Sequence, residues 1–153
     1  MSAKILDPGS PLSEADIAAA EQRIGRPIPS SYRSFLLLYN GGSPQQPVSY
    51  RIKSLTTNSV QEATVDRFLG INAQDFSDIE VFWKIYHDRI PPNFFPIARD
   101  PGGNLVCIAS SGEDQGKIYF WDHEEETEEG ETPNYKNVYL IADSFNDFLN
   151  SFH

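Results

Sequence analysis

Hydrophobic and polar positions along this chain recur with two periods, one near 3.6 residues in four stretches and one near 2 in most of the others. In the first helical stretch Ser13 and Asp16 have the spacing of a capping box, and Leu12 and Ile17 that of a hydrophobic staple. Ile17, Ala20 and Ile24 give this helix a modest stripe, as of a covering element, and Gly25 ends it. Pro27 and Pro29 hold the chain extended before a second helix, capped by Ser30 or Ser31, faced by Tyr32, Phe35, Leu36 and Tyr39, and stopped by Asn40, Gly41 and Gly42. A third helix is predicted from the capping box Ser77/Glu80, the staple Phe76/Val81 and the stripe Ile79, Phe82, Trp83, Tyr86 and Ile90, with Pro91 and Pro92 as its terminators. The last, capped by Asp143 or Ser144, presents Phe145, Phe148, Leu149 and Phe152 on one face.

Between and after these helices the pattern reads as strand and turn. Residues 43–47 read as a loop, 48–55 as a strand and 60–71 as one or two more. Residues 94–98 and 105–109 flank Pro101, Gly102, Gly103 and Asn104 and predict a hairpin, with Gly102 or Gly103 at positive φ. Strands follow at 117–121 and 138–142. Both faces of 105–109 are apolar, so this strand is expected to be central and covered on both sides. Phe120 or Trp121 is expected to pack against Phe145 or Phe148. The whole predicts a single α+β domain, a mostly antiparallel twisted sheet packed by helices chiefly on one side. Residues 1–11 are expected to be a flexible N-terminal segment, and 124–137 an exposed acidic loop.

Composition narrows the class. A chain of 153 residues suits one domain, and 39% hydrophobic residues supply a core for it. The single cysteine, Cys107, excludes an internal disulfide and any multi-cysteine zinc site. That thiol count, with no apolar run of signal-peptide or membrane-span length, fits a cytoplasmic protein with no membrane partner. The net charge of -10 is concentrated in one place: Asp122, Glu124, Glu125, Glu126, Glu128, Glu129 and Glu131 fall within ten residues that hold no lysine or arginine. The rest of the chain is nearly balanced. A field of this sign repels phosphates and argues against nucleic acid, and it favours a basic protein partner.

Candidate chemistry is sparse. Asp122, His123 and Glu124 form the most enzyme-like cluster, but alternation on a strand sends His123 away from its neighbours, so the three do not converge on a metal. Asp100, Gly102, Gly103 and Asn104 suggest a phosphate loop only superficially, because a strand rather than a helix follows them. Cys107 lies among apolar neighbours and reads as a buried small side chain, and no catalytic residue, metal ligand or cofactor motif emerges.

Four segments in order, IPSSYRSFLLLYNGG at 28–42, FPIARDPGGNLVCI at 95–108, GKIYFWDHE at 116–124 and LIADSFNDFL at 140–149, resemble the SUKH superfamily. That superfamily includes fungal cell-wall-assembly regulators and many bacterial immunity proteins. The resemblance covers residues 12–152 and implies a non-enzymatic binding protein, in bacteria one that neutralises a cognate toxin. The alternatives are a regulatory protein-binding scaffold similar to the fungal members and, in a third class, a metal hydrolase with an acidic site. Many such toxins act on nucleic acids and are basic, so the partner-binding residues are expected to be Asp122, Glu124, Glu125, Glu126, Glu128, Glu129 and Glu131. That assignment rests on charge alone, because the loop after FWDH varies within the family.

Overall fold

The computed structural model describes residues 4–45 and 48–153 of the chain. Seven antiparallel strands form one sheet: β3 (Val48–Ser54), β4 (Val60–Val65), β5 (Arg67–Phe68), β6 (Phe94–Arg99), β7 (Leu105–Ala109), β8 (Ile118–Trp121) and β9 (Val138–Ala142). Across the sheet they run in the order β4-β3-β9-β8-β7-β6-β5. The last strand enters between β3 and β8, so the C-terminal part of the chain joins two halves built earlier. A separate short pair joins β1 (Ile5–Leu6) to β2 (Ser43–Pro44), so residues 43 and 44 form a strand where a loop was expected. Met1, Ser2, Ala3, Gln46 and Pro47 lie outside the described residues. Among the described residues four α-helices complete the α+β domain: α1 (Glu14–Ile24), α2 (Ser30–Tyr39), α3 (Ile79–Tyr86) and α4 (Phe145–Asn150).

The sheet is curled. Residues 61–64 of edge strand β4 line the same groove as Asp100, Gly102 and Asn104 of the β6–β7 turn, although three strands separate β4 from β7 in the sheet. Register shifts in the β6–β7 and β8–β9 ladders supply local bends of the kind that increase twist. Every residue of β7 and β8 is buried, β8 being the middle strand and β7 its neighbour. The β6–β7 hairpin turns where the glycines predicted it, with Gly103 at φ 90°.

Helix α1 begins with the expected reciprocal cap between Ser13 and Asp16 and closes on Gly25 at φ 80°. The cap of α2 is Pro29, which offers no side-chain bond; Ser30 is already the first helical residue. In α3 the expected Ser77/Glu80 box gives way to Asp78, whose Oδ1 accepts from the amides of Glu80 and Val81 while Oδ2 accepts from Ala73. A carboxylate is the stronger acceptor and sits well at the positive helix end, so Ser77 falls in a 3-10 turn instead. This helix stops at Tyr86, well before Pro91, and is followed by a turn in which the Arg89 and Ile90 amides both donate to the Tyr86 carbonyl. In α4 the cap is Ser144.

The core is aromatic beneath α2 and α4. Phe35 stands 4.8 Å from Phe68 and 5.3 Å from Phe145, and Tyr50 meets Phe148 at 5.1 Å. Phe120 and Trp121 are buried, but their ring neighbours are Tyr139 and Tyr86, not the α4 phenylalanines that were expected. The rings of α4 are taken up by Tyr32, Phe35, Tyr50 and Phe68. Trp121 instead becomes the floor of the corner described next.

Candidate functional site

Strand β8 ends at Trp121, and Asp122 caps a one-turn 3-10 helix (His123–Glu125) by accepting from the Glu124 amide. The base of the acidic segment is pinned on both sides. Asp122 and Asn137 exchange hydrogen bonds, the Asp122 amide donating to the Asn137 carbonyl and Asn137 Nδ2 donating 2.8 Å to the Asp122 carbonyl. The His123 amide donates to Asn104 Oδ1 in the β6–β7 turn.

One basic residue from outside the run reaches it. Arg89, just past the end of α3, grips Glu126 with both arms, Nε to Oε2 at 3.0 Å and Nη2 to Oε1 at 2.6 Å. Its guanidinium lies 4.5 Å over the Tyr86 ring and 5.9 Å from the buried Trp121 ring. Fork-on-carboxylate geometry and an aromatic floor are the arrangement in which arginine binds most specifically, and the bond to Glu126 raises the Arg89 pKa above its ordinary value. The run holds no lysine or arginine of its own, yet Glu126 finds its cation in Arg89. Arg89 escaped the sequence reading because it lies 37 residues away, and its one local signal is Tyr86 three positions before it.

The structure divides six of the seven predicted residues between two depressions. Glu126, Glu128, Glu129 and Glu131 line a cleft of about 530 Å³ with Asp88, Arg89 and Ile85. Asp122 and Glu124 line the groove inside the curl, about 350 Å³, where they face Glu62, Asp100, Phe120 and Tyr139. Glu125 lies in the 3-10 turn between them. Among the described residues no cation stands within ion-pair distance of Asp122, Glu124, Glu125, Glu128, Glu129 or Glu131. The Tyr139 phenol is pushed up, first by burial and then by Glu125 and Asp122, which keeps it a neutral donor at the edge of the acidic field.

Among the described residues no group of three His, Cys, Asp or Glu side chains could hold a metal ion. His123 packs toward Gly103, where an added Cβ would come within 3.3 Å of its Nε2. The Cys107 thiol is buried and pushed up by that burial, the opposite of an activated nucleophile.

A curled antiparallel sheet with four covering helices among the described residues is consistent with a protein of the SUKH kind. The chain belongs to the SMI1 / KNR4 family (SUKH-1), whose model matches residues 11–151. It is similar to the SPbeta prophage-derived uncharacterized protein YokK of Bacillus subtilis (strain 168), with 31% identity over an alignment that covers 84% of this chain and 68% of that protein. No helix among the described residues is long and apolar enough to cross a membrane.

Proposed function

We propose that this protein is a cytoplasmic immunity protein that binds and neutralises a cognate toxin bearing a basic surface, and that the acidic segment is where the two meet. Family membership supports the binding role, and resemblance to a prophage-derived protein suits a chain carried among competing genetic elements. The observation that carries the choice of surface is the way the segment is held. Its two ends are tied together by Asp122 and Asn137, Glu126 is clamped by Arg89, and its other acids have no cation within ion-pair distance among the described residues. Charges presented in this manner are not consumed by the fold, so they are available to steer a basic partner.

The test is a variant with Glu124, Glu125, Glu128, Glu129 and Glu131 all changed to Gln, leaving the Arg89–Glu126 clamp intact. Against the product of the adjacent toxin gene, its association rate falls and loses most of its dependence on ionic strength, while the melting temperature holds or rises as mutual repulsion is relieved. An association rate equal to that of the wild type at low salt removes the acidic segment from the interface. Failure of the unmodified protein to bind or protect against that product refutes the immunity role itself.

A further inference from the structure

A second arginine corner lies at the other end of α3, and it is built in a way that folding alone does not account for. Arg67 on edge strand β5 stands directly opposite Arg99 on β6 in the ladder, and like charges in that relation repel. Both guanidiniums approach one exposed ring, Phe76, at 5.3 Å and 5.6 Å. Asp66 offsets Arg99 through Nη2 at 3.1 Å, but Arg99 Nε is buried without a hydrogen-bond partner. Among the described residues no carboxylate stands within ion-pair distance of Arg67. A protein of net charge -10 thus keeps two opposed arginines, one of them uncompensated, around a solvent-facing phenylalanine.

Arg67 and Phe76 open onto a groove of about 490 Å³. Asn72, Gln74, Pro8 and Ser10 line the same groove, so neutral amide and hydroxyl groups share it with the cation. Asp7 also lines the groove but does not pair with Arg67. The geometry points to a docking site for a carboxylate-bearing segment of a protein partner, in which a Glu or Asp side chain pairs with Arg67 and an adjacent apolar side chain lies on Phe76. A bound carboxylate relieves the Arg67–Arg99 repulsion, and the neighbouring ring supplies an apolar contact that a small inorganic anion does not use. This site takes the opposite charge from the acidic segment, and it stands or falls without that segment's role.

The experiment titrates the whole isotope-labelled protein with the capped peptide Glu-Leu-Glu-Gly, with capped Lys-Leu-Lys-Gly and inorganic phosphate as separate arms. Saturable shifts of the Arg67 Nε–H and the Phe76 ring are expected with the acidic peptide alone. Binding weakens about tenfold in Arg67→Gln, the loss of one charge-assisted pair, and is partly kept in Arg67→Lys. The melting temperature of Arg67→Gln is expected to hold or rise, because a repulsive cross-strand pair is removed. A clear fall in that temperature makes Arg67 a structural residue and overturns the proposal, as do Phe76 shifts that saturate with undiminished affinity in Arg67→Gln. Phosphate binding without peptide binding assigns the site to a small anion, and concentration-dependent self-association abolished by Arg67→Gln assigns it to the acidic segment of a second copy. Either result rejects a foreign protein segment as the occupant.

Discussion

The two arginine corners at the ends of α3 use the same parts and finish differently. At the C-terminal end Arg89 lies over Tyr86, has the buried Trp121 beneath it, and closes on the carboxylate of Glu126. At the N-terminal end Arg67 lies near Phe76, has a like charge opposite, and meets no carboxylate within ion-pair distance among the described residues. Eight residues of helix, about 12 Å at 1.5 Å per residue, connect the two ends. The difference separates what an ion pair does for a fold from what a charge can do for a partner. The complete corner ties the acidic segment to the sheet, and the incomplete one leaves its attraction unspent.

The aromatic floors break the comparison most sharply. Trp121 is 1% exposed and Phe76 is 45% exposed. Truncating Trp121→Ala leaves a cavity under Arg89 and is expected to cost about 3 to 5 kcal/mol, a large share of a domain's stability. Phe76→Ala is expected to stay within about 0.5 kcal/mol, as surface changes do. Urea denaturation of both variants checks this, and comparable losses erase the distinction between a structural and a presented corner.

Arginine substitutions probe the same contrast on a smaller scale. Arg89→Gln leaves Glu126 without its fork and is expected to cost about 1 kcal/mol, kept modest because both side chains remain partly in water. Hydrogen exchange should also quicken at the amides of residues 126–131, since the clamp on the segment is gone. Arg67→Gln costs nothing on the same scale. Equal losses from the two substitutions would mean that Arg67 has a partner after all.

Much of this contrast was out of reach of the sequence for a physical reason. Local signals carried well: the Ser13/Asp16 cap, the Gly25 stop and the left-handed Gly103 depend on neighbours within a few residues, and all three are present. Caps failed where a stronger acceptor competed nearby, as Asp78 did with Ser77. The apolar 105–109 stretch announced burial on both faces, yet nothing in it said that β9 would enter between β3 and β8. That insertion and the curl put Trp121 beneath Arg89 and set Glu62 and Asp100 opposite Asp122, pairings separated by tens of residues. Composition located the acidic run, but only the folded chain divides it between two depressions and reveals the opposed Arg67 and Arg99.

A cation–carboxylate pair elsewhere in the fold calibrates the Arg89 corner because both of its partners are exposed. His153 Nε2 lies 3.0 Å from Glu62 Oε1, and the backbone of His153 exchanges two hydrogen bonds with Ser49 of β3, which holds the ring in place. The bond to Glu62 raises the His153 pKa above its ordinary 6.5, with a smaller contribution from the Ser151 carbonyl. A histidine whose folded value is raised stabilises fully below the unfolded value near 6.5, and that contribution fades as the pH climbs through the raised folded value. The stability difference between wild type and Glu62→Gln should therefore be present below the unfolded value of 6.5 and shrink as the pH rises through the raised folded value. An NMR titration of the His153 ring provides the direct reading, with the midpoint dropping in Glu62→Gln. If that midpoint stays where it was, Glu62 does not hold the imidazolium, and the pair cannot serve as the measure of what a carboxylate contributes at the Arg89 corner.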